Sequence, residues 1–201
     1  MNLRTNLIVV GSLLVGLAAL LFGVQIFESN RAFNGSLIEP SPPAVDFTLS
    51  SSDGSDYHLA DRKGQIVLIF FGYANCPDVC PTTLAEFRNM HAELGEDADL
   101  VDFVFITIDP ERDASSDIER YVKSFNENFI GLSGQPEDLK PVWDGYWVFR
   151  EKQESDSEAG YLMAHTSRVY LVDKAGNLRL TFPFGVTATA MLDDVERLLK
   201  E

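Results

Sequence analysis

Cysteine is scarce in this chain: only two of its 201 residues are cysteines, Cys76 and Cys80. A secreted scaffold held together by disulfides carries more cysteines, spread along the chain, so that class of protein is excluded. Two cysteines so close in sequence are typical of a redox-active pair or of a metal site. Histidine is almost as scarce, with three residues, so few side chains are available to complete such a site.

Basic residues are also few: 16 lysines and arginines stand against 31 acidic residues, giving a formal net charge of −15. Nucleic acid is excluded as a partner, because phosphate binding needs clustered lysine and arginine. Docking on anionic lipid is disfavoured for the same reason. An acidic surface either steers a cationic partner or keeps the protein soluble. Hydrophobic residues make up 45% of the chain, which is enough for a packed core.

Residues 7–27 contain no charged side chain. A helix of that length covers about 30 Å, the thickness of a bilayer core, which predicts a single-pass anchor in the inner membrane. Positive charge at the N-terminal side, including Arg4, places residues 1–6 in the cytoplasm and the C-terminal domain in the periplasm or an equivalent space. A cleaved signal peptide is the alternative, but the stretch is long and lacks a small-x-small site. Residues 28–43, with three prolines, are predicted as a linker to a domain at 44–201.

The domain alternates patterns of strands and helices. Ile66–Phe71 and Val101–Ile108 are continuous apolar runs, typical of strands buried on both faces. The remaining patterns predict hairpins at 47–59 and 169–182, a short strand at 129–132, an irregular stretch at 154–164, and helices at 82–94, 115–125, 136–146 and 188–199. This order predicts an α/β sheet with antiparallel hairpins at its edges. In such sheets, functional sites gather beyond the carboxyl ends of the strands.

The segment C-P-D-V-C-P follows the first buried strand and contains both cysteines. Pro77 and Pro81 suit the first turn of a helix, where the missing N–H is not needed. A helix N-terminus stabilises a thiolate, and residues four apart project to one helical face. The pair can therefore chelate one ion or close a disulfide. Its spacing differs from the C-x-x-C of dedicated dithiol oxidoreductases. Two inert buried thiols are the alternative, and the flanking prolines disfavour it.

Two thiolates need a further ligand to hold a metal. His58 in the first hairpin and His91 on a helix are interpreted as surface or core-edge residues. His165 ends the irregular stretch and is expected in a loop that can approach the cysteines, although its spacing alone leaves this open. Two thiolates with an imidazole suit Cu(I) and also zinc, but structural zinc prefers four ligands. Met163 is a conceivable extra ligand, with core packing as its alternative.

Four segments together resemble the Sco/SenC family: F-F-G-Y-A-N-C-P-D-V-C-P-T-T-L, I-T-I-D-P-E-R-D, F-I-G-L-S-G and A-H-T-S-R-V-Y-L-V-D-K-A-G. The resemblance covers the whole of 44–201. It implies a thioredoxin-like fold with an extra β-hairpin after the N-terminal anchor. It also implies one copper ion, Cu(I) or Cu(II), bound by Cys76, Cys80 and His165. Asp109 and Asp113 would then support the site, unless they only cap the helix that follows.

Two departures from the family pattern are visible. Many members have Thr-His before the first cysteine, where this chain has Ala74-Asn75, and Asp before the site histidine, where this chain has Ala164. Neither position is one of the implied ligands. Loss of the carboxylate at 164 is expected to change how His165 is oriented or how Cu(II) is held, because second-shell partners tune metal ligands.

The resemblance implies a copper metallochaperone for the binuclear copper centre of cytochrome c oxidase. Its partners would be the copper-bearing oxidase subunit or another copper chaperone. The alternative is a thiol–disulfide oxidoreductase or redox sensor, in which Cys76 attacks, Cys80 resolves the mixed disulfide and a thioredoxin-like protein supplies electrons. A peroxidase would need a Thr/Arg pocket around its reactive cysteine, and the sequence around Cys76 shows no such arrangement.

Overall fold

The computed structural model describes residues 11, 13–17, 19–20, 32–52, 54–157 and 160–201. It divides the chain into two units, Met1–Phe33 and Asn34–Glu201. In the first unit, the described residues between 11 and 20 are helical and exposed. No helix within the described part of the chain is long and apolar enough to cross a membrane. The rest of the predicted anchor at 7–27 lies outside the described residues.

A six-stranded sheet organises the second unit, in the order β1-β10-β9-β4-β5-β6. Its strands are β1 Ser36–Leu37, β4 Ile66–Gly72, β5 Val101–Thr107, β6 Ile130–Leu132, β9 Arg168–Val172 and β10 Leu178–Pro183. The pairings β4–β5 and β5–β6 are parallel, whereas β4–β9, β9–β10 and β1–β10 are antiparallel. All seven residues of β4 are buried, as its continuous apolar run predicts. The predicted α/β class is therefore confirmed.

Two hairpins form small sheets of their own: β2 Thr48–Ser50 with β3 Asp56–His58, and β7 Arg150–Ser157 with β8 Gly160–His165. The first is the predicted N-terminal hairpin. The second corrects the prediction of an irregular stretch at 154–164. The sequence of β7, R-E-K-Q-E-S-D-S, has no apolar residue to alternate with its polar ones, so the period that identifies a half-buried strand is missing.

Among the described residues of this unit, the α-helices are α1 Val79–Leu94, α2 Ser115–Lys123, α3 Pro136–Gly145 and α4 Ala188–Lys200. Helix α1 packs against α4, and α2 packs against β6. Aromatic rings fill the space between helices and sheet; the rings of Phe87, Phe103 and Phe129 lie within 6.2 Å of one another. The Trp143 indole of α3 donates a hydrogen bond to the carbonyl of Thr107 at 3.0 Å, fixing α3 at the end of β5.

The compact unit starts at Asn34, inside the stretch 28–43 that was predicted as a linker. Strand β1 pairs with β10, and the Asp194 carboxylate accepts hydrogen bonds from the main-chain amides of Asn34 and Gly35 at 3.0 and 2.8 Å. Ala44 also donates to the carbonyl of Gly176 at 2.9 Å. Residues 34–43 therefore pack on the domain, although β1 has only two residues, both exposed, which is too short for an alternating pattern in the sequence.

Candidate metal centre

Three chain segments bring Cys76, Cys80 and His165 together. Cys76 lies in the turn after β4, Cys80 in the first turn of α1, and His165 is the last residue of β8. Their two sulfurs and an imidazole nitrogen all lie within 4.8 Å of one another. Cys80 is fully buried and Cys76 is partly exposed, so the cluster can be reached from solvent through Cys76.

The helix start explains how the cysteines face each other. Helix α1 begins at Val79, earlier than the predicted Thr82, because Pro81 in its first turn needs no N–H partner. The main-chain N–H of Cys80 is one of the unpaired donors of that turn, and it points at the Cys76 sulfur at 3.4 Å. The N–H of Cys76 donates to the carbonyl of Tyr73 at 3.2 Å and closes the preceding turn. The Cys76 sulfur thus occupies the anion position of the helix.

The two thiols consequently differ in acidity. A hydrogen bond from the Cys80 side chain lowers the pKa of Cys76 to about 4, with further help from His165 and from the main-chain N–H groups of Cys80 and Asp78. Burial raises the pKa of Cys80, and the neighbouring Cys76 sulfur raises it further. At neutral pH, the pair is one partly exposed thiolate beside one buried thiol.

The ring of His165 is oriented by its own backbone. Its Nδ1–H donates to the carbonyl of Thr166 at 3.1 Å, which turns Nε2 toward the site, at 4.0 Å from the Cys80 sulfur. The rings of Phe70 and Tyr73 meet it edge-on, with centroids at 6.2 and 6.0 Å. His165 was expected in a loop, but it ends a paired strand opposite Arg150. The imidazole is therefore oriented by the Thr166 carbonyl and packed between two aromatic rings.

Strand alternation also determines on which face of β8 the two residues before His165 lie. Ala164 points to the opposite face of β8 from His165, so a carboxylate there would not lie beside the cysteines on that face. Because β8 begins at Gly160 and so includes Met163, this residue lies on the same face as His165. Its side chain is 7% exposed. The Thr166 carbonyl thus orients the histidine of this chain without an acidic residue at 164.

Asp109 and Asp113 lie beside the cluster of Cys76, Cys80 and His165 without joining it. The Asp113 carboxylate accepts from the main-chain N–H of Ala74 at 3.2 Å and from the Thr107 hydroxyl at 2.7 Å. It therefore fixes the segment that leads into Cys76. Burial raises the pKa of Asp113 to about 6. Asp109 instead contacts Arg112 and Tyr161, on the side of the hairpin that carries His165.

The other two histidines lie outside the cluster. The Nδ1 of His58 is 2.7 Å from the Thr48 hydroxyl, and the ring of His91 packs near Phe103 and Phe129. Tyr73, Arg112 and Tyr161 are the neighbours of the site that sequence reasoning missed. Arg112 stood in the recognised D-P-E-R-D segment and could have been found there, whereas Tyr161 lay in the stretch expected to be irregular.

The three side chains offer two cysteine sulfurs and one imidazole nitrogen. Soft thiolates with imidazole suit Cu(I), and zinc would usually seek a fourth ligand. The most acidic sulfur is also the most exposed, so an incoming ion first meets a thiolate that is already deprotonated. The chemistry of the residues therefore fits a soft, low-coordinate ion.

Comparison with known proteins places this geometry in a family. The model of the SCO1/SenC family matches residues 37–200. The SCO2-like protein of Rickettsia prowazekii is 31% identical over 196 residues, covering 94% of each chain. The solution structure of apo Sco1 from Thermus thermophilus has a TM-score of 0.75 at 32% identity, covering 85% of this chain and 99% of that one. The structure of Bradyrhizobium japonicum ScoI with copper bound has a TM-score of 0.71 at 36% identity, covering 78% and 99%. These neighbours support the thioredoxin-like α/β fold.

Proposed function

Because this chain belongs to the SCO1/SenC family, we propose that it binds one copper ion through Cys76, Cys80 and His165. We propose further that it delivers this copper to the binuclear centre of cytochrome c oxidase, directly or through another copper chaperone. The observation that carries the proposal is the approach of two sulfurs and an imidazole nitrogen to within 4.8 Å from three separate segments. The copper-bound ScoI relative and the soft donor set support it.

The two thiols differ in acidity and exposure, and this difference sets the order in which they bind copper. The Cys76 thiolate captures Cu(I) at the exposed edge, and the imidazole Nε2 is already turned toward the site. Cys80 completes the set by losing its proton, so binding releases a proton and weakens as the pH falls. Three-coordinate Cu(I) requires no fourth ligand.

Copper leaves by the route through which it enters. A cysteine of the acceptor replaces Cys76 first, because Cys80 is fully buried. Two exposed rings belong to residues that bond the segment after His165: the backbone of Phe149, 59% exposed, pairs with Thr166, and the N–H of Phe184, 46% exposed, donates to the carbonyl of Ser167. We propose that the acceptor contacts these rings when it docks beside His165.

A competition experiment tests copper binding. The full reduced chain is titrated anaerobically with Cu(I) against a chromogenic chelator, alongside Cys76→Ser and His165→Ala. We expect one tightly bound copper per chain, loss of tight binding in Cys76→Ser and a loss of roughly 10-fold or more in His165→Ala. His91→Ala is the matched control and should bind like the wild type. Equal affinities for His165→Ala and the wild type would contradict the proposed ligand set.

The same pair favours a second function, thiol–disulfide exchange. The Cys76 thiolate would attack a partner disulfide, forming a mixed disulfide and releasing one partner thiolate. Cys80, once deprotonated, would attack the Cys76 sulfur, close the Cys76–Cys80 disulfide and release the second partner thiolate. A thioredoxin-like reductant would return the two electrons. Cys80→Ser should then accumulate the mixed disulfide with a disulfide-bonded peptide; a variant that accumulates none counts against this function.

We also propose the placement of the domain. The uncharged stretch at 7–27 would anchor the chain in the inner membrane, with residues 1–6 in the cytoplasm and the copper-binding domain in the periplasm. Outside the cytoplasm a dithiol is oxidised unless it is reduced or metallated. Protease added to intact spheroplasts should remove the domain, and survival of the domain would argue against this orientation.

A further inference from the structure

The hairpin that carries His165 is not part of the main sheet. Strands β7 and β8 pair only with each other among the described strands, whereas the cysteines follow β4 of the six-stranded sheet. No backbone ladder therefore joins β8 itself to the main sheet within the described part of the chain. The chain ties His165 to the main sheet at one end only, because β9, which pairs with β4, begins three residues later at Arg168. Side-chain contacts add to this tie along the rest of β8.

Two such contacts lie along the outer edge of β8. Arg112 donates from Nη1 to the carbonyl of Tyr161 at 2.9 Å, and the N–H of Met163 donates to the Tyr73 hydroxyl at 3.3 Å. Residues 161 and 163 are two apart, so these main-chain groups face the same edge, the one away from β7. A guanidinium and a phenol thus occupy positions that a neighbouring strand would fill.

The contact at Tyr161 is part of a group of three side chains, Asp109, Arg112 and Tyr161, each of which contacts the other two. Arg112 donates from Nε to the Asp109 carboxylate at 2.6 Å, and the Tyr161 hydroxyl donates to the other oxygen of that carboxylate at 2.7 Å. The Arg112 guanidinium lies over the Tyr161 ring, 3.7 Å from its centroid. Asp109 is 2% exposed and Arg112 19%, so these charge-assisted bonds are shielded from water. Lysine could not replace arginine here, because the contacts use the planar fork and the flat face of the guanidinium.

We propose that Asp109, Arg112 and Tyr161 form a clamp that holds β8 where His165 reaches the cysteines. Arg112 and Tyr161 are then positioning residues for the third ligand, and their effect on copper passes through His165. The inference rests on the proposed function in taking His165 as a copper ligand. It assigns the D-P-E-R-D segment two separate supporting roles: Asp113 fixes the cysteine turn, and Asp109 with Arg112 fixes the histidine strand.

A double-mutant cycle tests the clamp on the full chain. Arg112→Met and Tyr161→Phe are each made in the wild type and in His165→Ala, and Cu(I) affinity is measured by chelator competition. Tyr161→Phe keeps the ring under the guanidinium and removes only the hydroxyl, so it is the milder change if Arg112→Met unfolds. We expect each substitution to weaken copper roughly 10-fold when His165 is present and by less than about 2-fold when it is absent. Arg120→Met, which removes an exposed arginine paired with Asp117, is the control and should have no effect.

A copper-independent measurement separates failure of the clamp from failure of the proposed function. In the reduced, metal-free chain, the NMR resonances of the His165 ring should shift in Arg112→Met and in Tyr161→Phe, while those of His91 stay in place. Equal losses of affinity in both backgrounds, or unshifted His165 resonances, would overturn the clamp. Absence of tight copper binding in the wild type would defeat the proposed function, and the His165 shifts would then decide the clamp alone.

Discussion

Cys76 and Cys80 are four residues apart, yet their surroundings make them chemically different. Cys76 accepts a main-chain hydrogen bond at the start of α1 and is partly exposed, whereas Cys80 has no exposed surface. Helix N-terminal N–H groups stabilise a thiolate, and burial without an opposite charge destabilises one. The two sulfurs therefore have different tasks, capture for Cys76 and completion of the site for Cys80.

This difference predicts selective alkylation. In the reduced, metal-free chain at pH 6, iodoacetamide should modify Cys76 and leave Cys80 largely unmodified, as read by peptide mass spectrometry. Because the pKa of Cys76 is lowered to about 4, its rate should stay nearly constant from pH 6 to pH 8 and fall only as the pH approaches 4. A rate that rises about 10-fold per pH unit from 6 to 8 would show an ordinary thiol. Denatured chain, in which both cysteines react alike, is the control.

Asp113 predicts a pH dependence of stability. Burial raises its pKa from 3.8 to about 6, so between these values the folded chain holds more protons at this site than the unfolded chain. The contribution of Asp113 is fully present below about pH 4 and is lost as the pH rises through 6, by at most about 3 kcal/mol at 1.36 kcal/mol per unit.

The test compares urea unfolding of Asp113→Asn and wild type between pH 4 and 7. The stability of the wild type relative to the variant should decrease across this range. Glu93→Gln, which neutralises an exposed carboxylate on α1, controls for net charge. If the stability of Asp113→Asn and of the wild type changed with pH in parallel, folding would not raise the pKa of this carboxyl.

Among the structural elements, β4 and α1 approach each other closely at Gly72. A Cβ added there would lie 2.8 Å from the Cys80 sulfur and 2.8 Å from the Phe105 ring. Both neighbours are buried, and the sulfur is fixed by the first turn of α1. The glycine is thus required by the close approach of helix and strand and not by its backbone angles.

Gly72→Ala should therefore displace Cys80. We expect a loss of stability of about 1–3 kcal/mol, as for other overpacked cores, together with weaker copper binding. Gly134→Ala is the matched control, because the nearest atom to its added Cβ is 3.5 Å away. Thermal unfolding and Cu(I) competition check both effects. Wild-type copper affinity in Gly72→Ala would show that the position of Cys80 is not set by this contact.

The strands and helices of the core could be predicted because their buried residues form apolar patterns in the sequence. The apolar runs of β4 and β5 and the helical spacing of α1 identified elements that the structure contains. Strand β7 was missed, since its partner β8 and not its own residues makes it a strand. The geometry of His165 depended on that hairpin, so the sequence alone left its approach to the cysteines open.

For the molecule as a whole, the site forms where distant parts of the chain converge. The turn after β4, the start of α1 and the end of β8 meet at the carboxyl end of the parallel strands, as expected for an α/β sheet. Family resemblance identified the same three residues from sequence. It did not provide the Thr166 carbonyl that orients His165 or the Arg112 contacts that hold β8, since those depend on tertiary packing.

The account depends on a copper ion bound by two sulfurs and one nitrogen. X-ray absorption spectroscopy of the full reduced chain loaded with one equivalent of Cu(I) measures this coordination directly. We predict a first shell of two sulfur scatterers and one imidazole nitrogen, with the imidazole signal lost in His165→Ala and kept in His91→Ala. A shell that contains no imidazole in the wild type, or that is unchanged in His165→Ala, would contradict the Cys76–Cys80–His165 site.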